Sequence, residues 1–196
     1  MAETKKPKEP RYLKEALFLA ESYTKMLEER EWLKKRIAGN WTYTKEMAIA
    51  ELDSITVAYD NERVQSSNIS NPTERIAMKL TDEYMARKQA EMDAERDACI
   101  ADLEYLNWKI GVVETVWKER MKEKQSAVFQ LIYIGNKTFK EAEAILRKKK
   151  KINLVNRNIS EIKEQIWSLF ETELLFRERF DQGNGFLKLL SSEVEG

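Results

Sequence analysis

Histidine is absent from this chain of 196 residues. Because histidine is the commonest general base and metal ligand, and the usual partner of a serine or cysteine nucleophile, most familiar catalytic sites are excluded. The single cysteine, Cys99, excludes an internal disulfide and leaves too few ligands for a cysteine–histidine zinc site within one chain. We therefore predict that the protein is not an enzyme, needs no cofactor and acts by binding.

Long apolar runs are also absent. The sequence contains no stretch of about 18 apolar residues, as a transmembrane helix requires, and no signal-peptide pattern. The lone cysteine fits a reducing compartment. We therefore expect a cytoplasmic protein that makes no contact with a membrane.

Proline and glycine are scarce, with three and six residues respectively, and every proline precedes Thr73. From Thr73 onward no proline ring interrupts a helix. Hydrophobic residues make up 42% of the chain and charged residues 35%, so enough apolar surface is present to form a core. These features predict an all-α protein.

Helical periodicity divides the N-terminal part of the chain into separate stretches. Apolar residues recur at three- and four-residue steps over residues 11–36, and a second helix is predicted over residues 44–58. Residues 59–71 are rich in Asn, Ser and Asp, which favour turns because their short side chains bond to the local backbone. Helical periodicity then resumes over residues 72–122.

The stretch over residues 72–122 has apolar side chains at the a and d positions of a heptad pattern, which is typical of a helix packed against another helix. Its partner is either the N-terminal helices or a second copy of the chain, and the latter would give a homodimer through residues 85–117. A break near Tyr105 would turn the stretch into a helical hairpin. The heptad positions are occupied by Met85, Met92, Cys99, Leu103, Leu106, Ile110, Val113 and Trp117.

Two other residue groups have an ordinary structural interpretation. Trp108, Trp117 and Trp167 lie on apolar stripes, and we expect them to pack in the core. Asp93 and Asp97 are spaced so that a metal could bridge them on one helix face. Without histidine or a second converging cluster, a solvated surface is the better interpretation of this pair, and no metal site is predicted.

The C-terminal third has the order of elements found in a helix-turn-helix, in which the last helix enters the major groove of DNA. Thr138 is a candidate N-cap, and Glu141 is placed to complete a capping box. The predicted order is an apolar helix at Gln125–Ile134, a stop at Gly135-Asn136, a short helix at Phe139–Leu146, a basic connector at Arg147–Lys151 and a long helix at 153–180.

Charge is segregated in this part of the chain, although the whole sequence has 34 basic and 34 acidic residues. Between Lys137 and Lys163 there are nine basic residues and three acidic ones, so a local basic surface is predicted despite the absence of a bulk excess. Asn and Arg side chains at the start of the last helix are suited to reading adenine and guanine edges. The candidate DNA-binding residues are Lys137, Lys140, Arg147, Lys148, Lys149, Lys150, Lys151, Asn153, Asn156, Arg157, Asn158, Ser160 and Lys163.

These patterns predict a simple organisation for the chain. The predicted segments are a flexible tail at 1–10, a helical region at 11–122 with a loop at 59–71, a helix-turn-helix domain at 123–180 and a C-terminal tail at 181–196. Four apolar residues between Phe186 and Leu190 give the C-terminal segment a means of docking onto the rest of the protein.

Three function classes compete at this point. A lysine run between helices is often only a solvated connector, or a favourable positive charge at a helix C-terminus. The alternative to a DNA-binding regulator is therefore a helical interaction, assembly or inhibitor protein of phage origin that uses the seam at 85–117 and does not bind DNA. An enzyme would need a mechanism based on carboxylates or lysines alone, and no residue spacing indicates one.

Two short segments resemble small sigma-factor-like regulators of phages and prophages, namely the RinA-type and ArpU-type late-gene activators. Tyr59–Ser67 is similar to the segment that those proteins place before a long helix. Phe129–Ala142 is similar to the opening of their helix-turn-helix, which resembles region four of sigma factors. With the long helix between them, the resemblance covers about residues 45–175.

The resemblance implies a fold and a function. It implies an all-α chain with a sigma-like helix-turn-helix, sequence-specific binding to promoter DNA, and transcriptional activation through contact with RNA polymerase. The turn and recognition helix would then fall between Lys148 and Ser160. This chain departs from the family pattern there, because Arg147–Lys151 and Ile152–Leu154 replace the usual short turn.

Overall fold

The computed structural model describes residues 11–51, 81–149, 156–180 and 185–195, and every regular element in these ranges is helical. The all-α prediction is confirmed. Among the described helices, none combines the length and apolar character that a membrane crossing requires. The elements are α1 (Leu13–Ile37), α2 (described over 45–51), α3 (Asp82–Thr115) with a π-helical turn at Val116–Arg120, α4 (Glu123–Phe129) with a π-helical turn at Gln130–Ile134, α5 (Phe139–Lys149), α6 (Asn156–Phe180) and α7 (Phe186–Glu195).

The chain forms two compact units that differ from the segments predicted from sequence. The first unit combines residues 1–32 with residues 103–196, and the second consists of residues 33–102. The predicted boundary between residues 122 and 123 lies inside the first unit. The reason for this difference is the core of that unit, to which helices distant in sequence contribute.

Phe129, at the end of α4, is completely buried at the centre of the first unit. Its ring lies 5.8 Å from that of Trp117, 6.5 Å from that of Tyr23 in α1 and 6.1 Å from that of Phe170 in α6, measured between centroids. Residues 123–180 therefore share their core with α1 and α3. Because this core is shared, we expect the segment to depend on both helices for its stability.

The helix α3 is continuous through Tyr105, so the long stretch is one helix here and not a hairpin. Within the first unit its side chains Leu106, Ile110 and Val113 are no more than 3% exposed. The chain itself thus covers the C-terminal half of the predicted seam. Met85 and Met92, in the second unit, are half-buried, and dimerisation through the seam stays a prediction.

The predicted core tryptophans are half-buried, and each makes polar or ring contacts. The indole nitrogen of Trp117 donates to Ser126 Oγ at 2.9 Å, and that of Trp167 donates to the Tyr133 hydroxyl at 2.9 Å. Trp108 stacks on Tyr105. Partial burial of this kind is usual for tryptophan, whose N–H needs a partner when the ring is packed.

The second unit contains several polar contacts. Lys88 in α3 forms an ion pair with Glu51 at 2.8 Å, and Glu51 accepts a hydrogen bond from the Tyr43 hydroxyl at 2.6 Å. Gln89 Nε2 donates to Asp93 at 2.8 Å. In the described parts of the chain, no group of three or more histidine, cysteine, aspartate or glutamate residues could hold a metal ion.

The C-terminal segment contains the helix α7, whereas the sequence predicted a tail over residues 181–196. Leu190 is completely buried, and the buried ammonium of Lys109 in α3 pairs with Glu193 at 3.1 Å. Ser191 Oγ donates to the buried carboxylate of Glu15 at 2.7 Å. These contacts join α7 to helices that are distant in sequence. Local sequence patterns do not reveal such contacts, so they predicted only that the apolar residues of this segment could dock.

Candidate nucleic-acid interface

The turn between α4 and α5 requires the two residues that sequence analysis identified as a stop. A Cβ on Gly135 would lie 3.0 Å from the carbonyl oxygen of Leu131, so a larger residue would crowd the backbone. Asn136 has a positive φ of 48°, a region that Asn adopts more readily than most residues. The amide of Lys137 then donates to the Leu131 carbonyl at 2.9 Å and closes the turn.

The helix α5 begins with the predicted capping box. Glu141 Oε2 accepts a hydrogen bond from the Thr138 backbone amide at 2.8 Å, and Thr138 Oγ1 accepts one from the Glu141 amide at 3.4 Å. The hydrogen bonds from Thr138 hold the pKa of the exposed Glu141 carboxyl below its ordinary value. The acidic charge of Glu141 is thus engaged at the helix N-terminus, where a carboxylate is favourable.

The basic run begins within α5, which corrects the prediction that the helix ends at Leu146. Arg147 lies in the last turn of α5 and pairs with Glu143, one turn earlier, at 3.0 Å. Basic side chains are favourable at this end of a helix because of the helix dipole. Lys148, also in that turn, is exposed, as are Lys137 and Lys140 at the other end of α5.

One face of α6 packs beside the start of α5. Ser160, Lys163 and Trp167 are spaced to share this face, which we call the Ser160 face. The Lys163 ammonium lies 5.1 Å from the centroid of the Phe139 ring and 5.4 Å from the centroid of the Trp167 ring. A cation at this distance from aromatic rings is attracted to them. Lys163 therefore helps to hold the start of α5 against α6.

Tyr133 completes the aromatic surroundings of Lys163, with its ring centroid 5.4 Å from the ammonium. Burial raises the pKa of the Tyr133 hydroxyl to about 12, so the ring stays neutral at physiological pH. A surface depression between the two helices is lined by Thr138, Phe139, Lys140 and Ser160. The Ser160 face thus combines exposed polar groups with a packed aromatic contact.

A second exposed face of α6 contains Asn158, Glu161 and Gln165 at the same spacing, and we call it the Asn158 face. Gln125 Nε2, at the start of α4, donates to Gln165 Oε1 at 3.1 Å. Gln125 also accepts a hydrogen bond from the Lys122 amide at 2.9 Å, which caps α4. A groove between the two helices is lined by Lys122, Glu123, Lys124, Gln125, Asn158, Glu161, Ile162 and Gln165.

The structure places the sequence-predicted residues in several settings. Lys137, Lys140, Lys148, Asn158 and Ser160 are exposed, whereas Arg147 is paired with Glu143 and Lys163 contacts aromatic rings. Lys149 ends α5, and Asn156 and Arg157 lie in the first turn of α6. The residues that lie outside the described ranges are Lys150, Lys151 and Asn153.

Lys122 and Lys124, which line the groove beside Asn158, are not among the candidate residues predicted from the sequence. Lys122 lies just before the predicted helix-turn-helix domain and Lys124 at its start, and both lie more than 30 positions before Asn158 in the sequence. The sequence indicates that one face of α6 contains Asn158, Glu161 and Gln165. It does not indicate that α4 packs beside this face. Tertiary packing alone brings the two lysines to the groove.

Comparison of the chain with models of known protein families, with curated proteins and with solved structures finds no match. The resemblance to phage regulators stays a prediction. Of the two segments on which it rests, Tyr59–Ser67 lies outside the described residues, as does the rest of the predicted loop at 59–71 and the tail at 1–10. Phe129–Ala142 forms the end of α4, the glycine turn and the start of α5.

Proposed function

We propose that this protein binds duplex DNA through the surface formed by α5 and the start of α6, and that it acts as a transcriptional regulator of the phage type. The observation that supports this most strongly is the exposure of Lys137, just before α5, and of Lys140 and Lys148 within it, with Lys140 beside the exposed Ser160 of α6. Lysines provide phosphate contacts, and short polar side chains at the start of a helix are suited to base edges.

The acidic residues nearest to these lysines in sequence support the same proposal. Glu141 accepts hydrogen bonds within the cap of α5, and Glu143 pairs with Arg147. Both carboxylates therefore have partners within α5 or its N-terminal cap. We infer that the exposed lysines give this surface a positive potential, which attracts a polyanion.

A protein-interaction role is the second candidate, and a different surface supports it. Phe176 and Phe180, near the end of α6, are 50% and 72% exposed, and their ring centroids lie 4.5 Å apart. Exposed aromatic pairs are enriched at protein interfaces. Contact with RNA polymerase, which the resemblance implies, and dimerisation through the seam at 85–117 also stay predictions.

The proposal is tested by measuring the binding of the full chain to a fluorescent duplex of mixed sequence at several salt concentrations. We expect Lys137→Ala, Lys140→Ala and Lys148→Ala, combined in one variant, to reduce the slope of log affinity against log salt by about three, because each phosphate contact contributes about one. The variant should fold as the parent does, because all three side chains are exposed.

A matched control replaces three other exposed lysines, Lys14, Lys25 and Lys188, with alanine and removes the same charge. We expect the control to keep the salt slope of the parent. An equal loss of slope in both variants would show that net charge, and not this surface, governs binding. A parent chain that binds no duplex at low salt would refute the proposal itself.

A further inference from the structure

The groove between α4 and α6 contains side chains that differ in kind from those of the predicted basic run. Asn158, Glu161 and Gln165 are exposed and lie on one face of α6 over two turns. Asn and Gln pair with adenine in the major groove, and Glu accepts a hydrogen bond from the amino group of cytosine. All three positions of the Asn158 face thus have side chains suited to base edges.

The contacts of the Asn158 face also favour the recognition of base edges. Gln125 Nε2 donates to Gln165 Oε1 at 3.1 Å, an exposed hydrogen bond that orients the amide of Gln165. Side chains that are held in place by neighbours lose less entropy when they bind. On the Ser160 face, by contrast, Lys163 lies against three aromatic rings.

The charges of the groove suit a helix that lies between two phosphate backbones. Lys122 and Lys124 line the groove beside the Asn158 face, together with the acidic residues Glu123 and Glu161. Lys140, at the start of α5, lies on the other side of α6, beside Ser160. A helix in the major groove has a phosphate backbone on each side, so lysines are useful on both sides of α6.

From these observations we infer that the Asn158 face of α6, consisting of Asn158, Glu161 and Gln165, reads base edges in the major groove, while Lys122 and Lys124 bind the adjacent phosphates. This inference rests on the proposed function and assigns sequence specificity to residues that the basic run does not include. Glu161 selects cytosine at one position, and its negative charge disfavours the other bases there.

Selection from a pool of random duplexes by the full chain tests the inference. We expect the parent to select a motif, and Glu161→Ala to lower the preference at one C·G pair about tenfold without changing the salt slope. Asn158→Ala and Gln165→Ala should each relax one other position. Lys122→Ala with Lys124→Ala should weaken binding to all sequences alike and reduce the salt slope by about two.

The matched control is Asn107→Ala, which removes an exposed asparagine of α3 outside the proposed binding surface and should select the parent motif. Thermal unfolding of each variant establishes that it folds. If Glu161→Ala and Gln165→Ala select the parent motif, the inference is wrong while the proposed function stands. If the parent binds duplex but selects no motif, the inference is wrong as well. If the parent binds no duplex, both are wrong.

Discussion

The two exposed faces of α6 have the same spacing but different surroundings. The Ser160 face includes a lysine whose ammonium contacts three aromatic rings, so that its positive charge contributes to packing. The Asn158 face includes an amide and a carboxylate that stay exposed beside the lysines of α4. The two faces thus differ in their packing, although their spacing in the sequence is the same.

Phe129→Ala should have the largest effect, because it removes the buried ring against which Tyr23, Trp117 and Phe170 pack. We expect the free energy of unfolding to fall by about 3–5 kcal/mol, as for other buried phenylalanines. Denaturant titration of the full chain measures this change. A loss below about 1 kcal/mol would show that residues 123–180 have a core independent of α1 and α3.

Lys163→Met should have an intermediate effect. This variant tests whether Lys163, on the Ser160 face, contributes to packing or to DNA binding. Methionine keeps an apolar stem of similar length but removes the cation, so we expect a stability loss of roughly 1 kcal/mol. The salt slope of DNA binding should stay that of the parent, since Lys163 contacts rings in this structure. Calorimetry and the salt titration measure the two quantities. A slope lower by about one, with unchanged stability, would instead identify Lys163 as a phosphate contact.

Glu141→Gln should have the smallest effect, and its size should depend on pH. Because the folded pKa of Glu141 is lowered below the ordinary value of 4.5, its charge stabilises the fold above that value. The contribution is lost as the pH falls through the folded pKa. We expect the parent to melt above the variant at pH 7 and the difference to shrink as the pH falls through the folded pKa of Glu141. A constant difference over this range would show that the charge of Glu141 does not contribute through the cap.

Features that depend on neighbouring residues were predictable from the sequence. The Gly135-Asn136 stop and the Thr138–Glu141 capping box are both present, because each depends on residues within one turn. The all-α class followed from apolar periodicity and from the scarcity of proline. In each of these cases local backbone chemistry determines the outcome.

Features that depend on distant contacts were not predictable in the same way. The helix α7 is held by Lys109 and Glu15, which lie more than 80 positions away in the sequence. In α6, Lys163 contacts Phe139 and Gln165 accepts a hydrogen bond from Gln125, and both neighbours are distant in sequence. No local sequence pattern specifies which face of a helix packs beside which other helix. For this reason Lys122 and Lys124 were not among the predicted site residues.

The most direct test of DNA binding by the α5–α6 surface is lysine footprinting of the full chain with an amine-reactive reagent, with and without a duplex of mixed sequence. We predict that the duplex protects Lys137, Lys140 and Lys148, while Lys14, Lys25 and Lys188 react at the same rate in both conditions. Protection confined to the latter lysines, or equal reactivity throughout at low salt, would contradict the account.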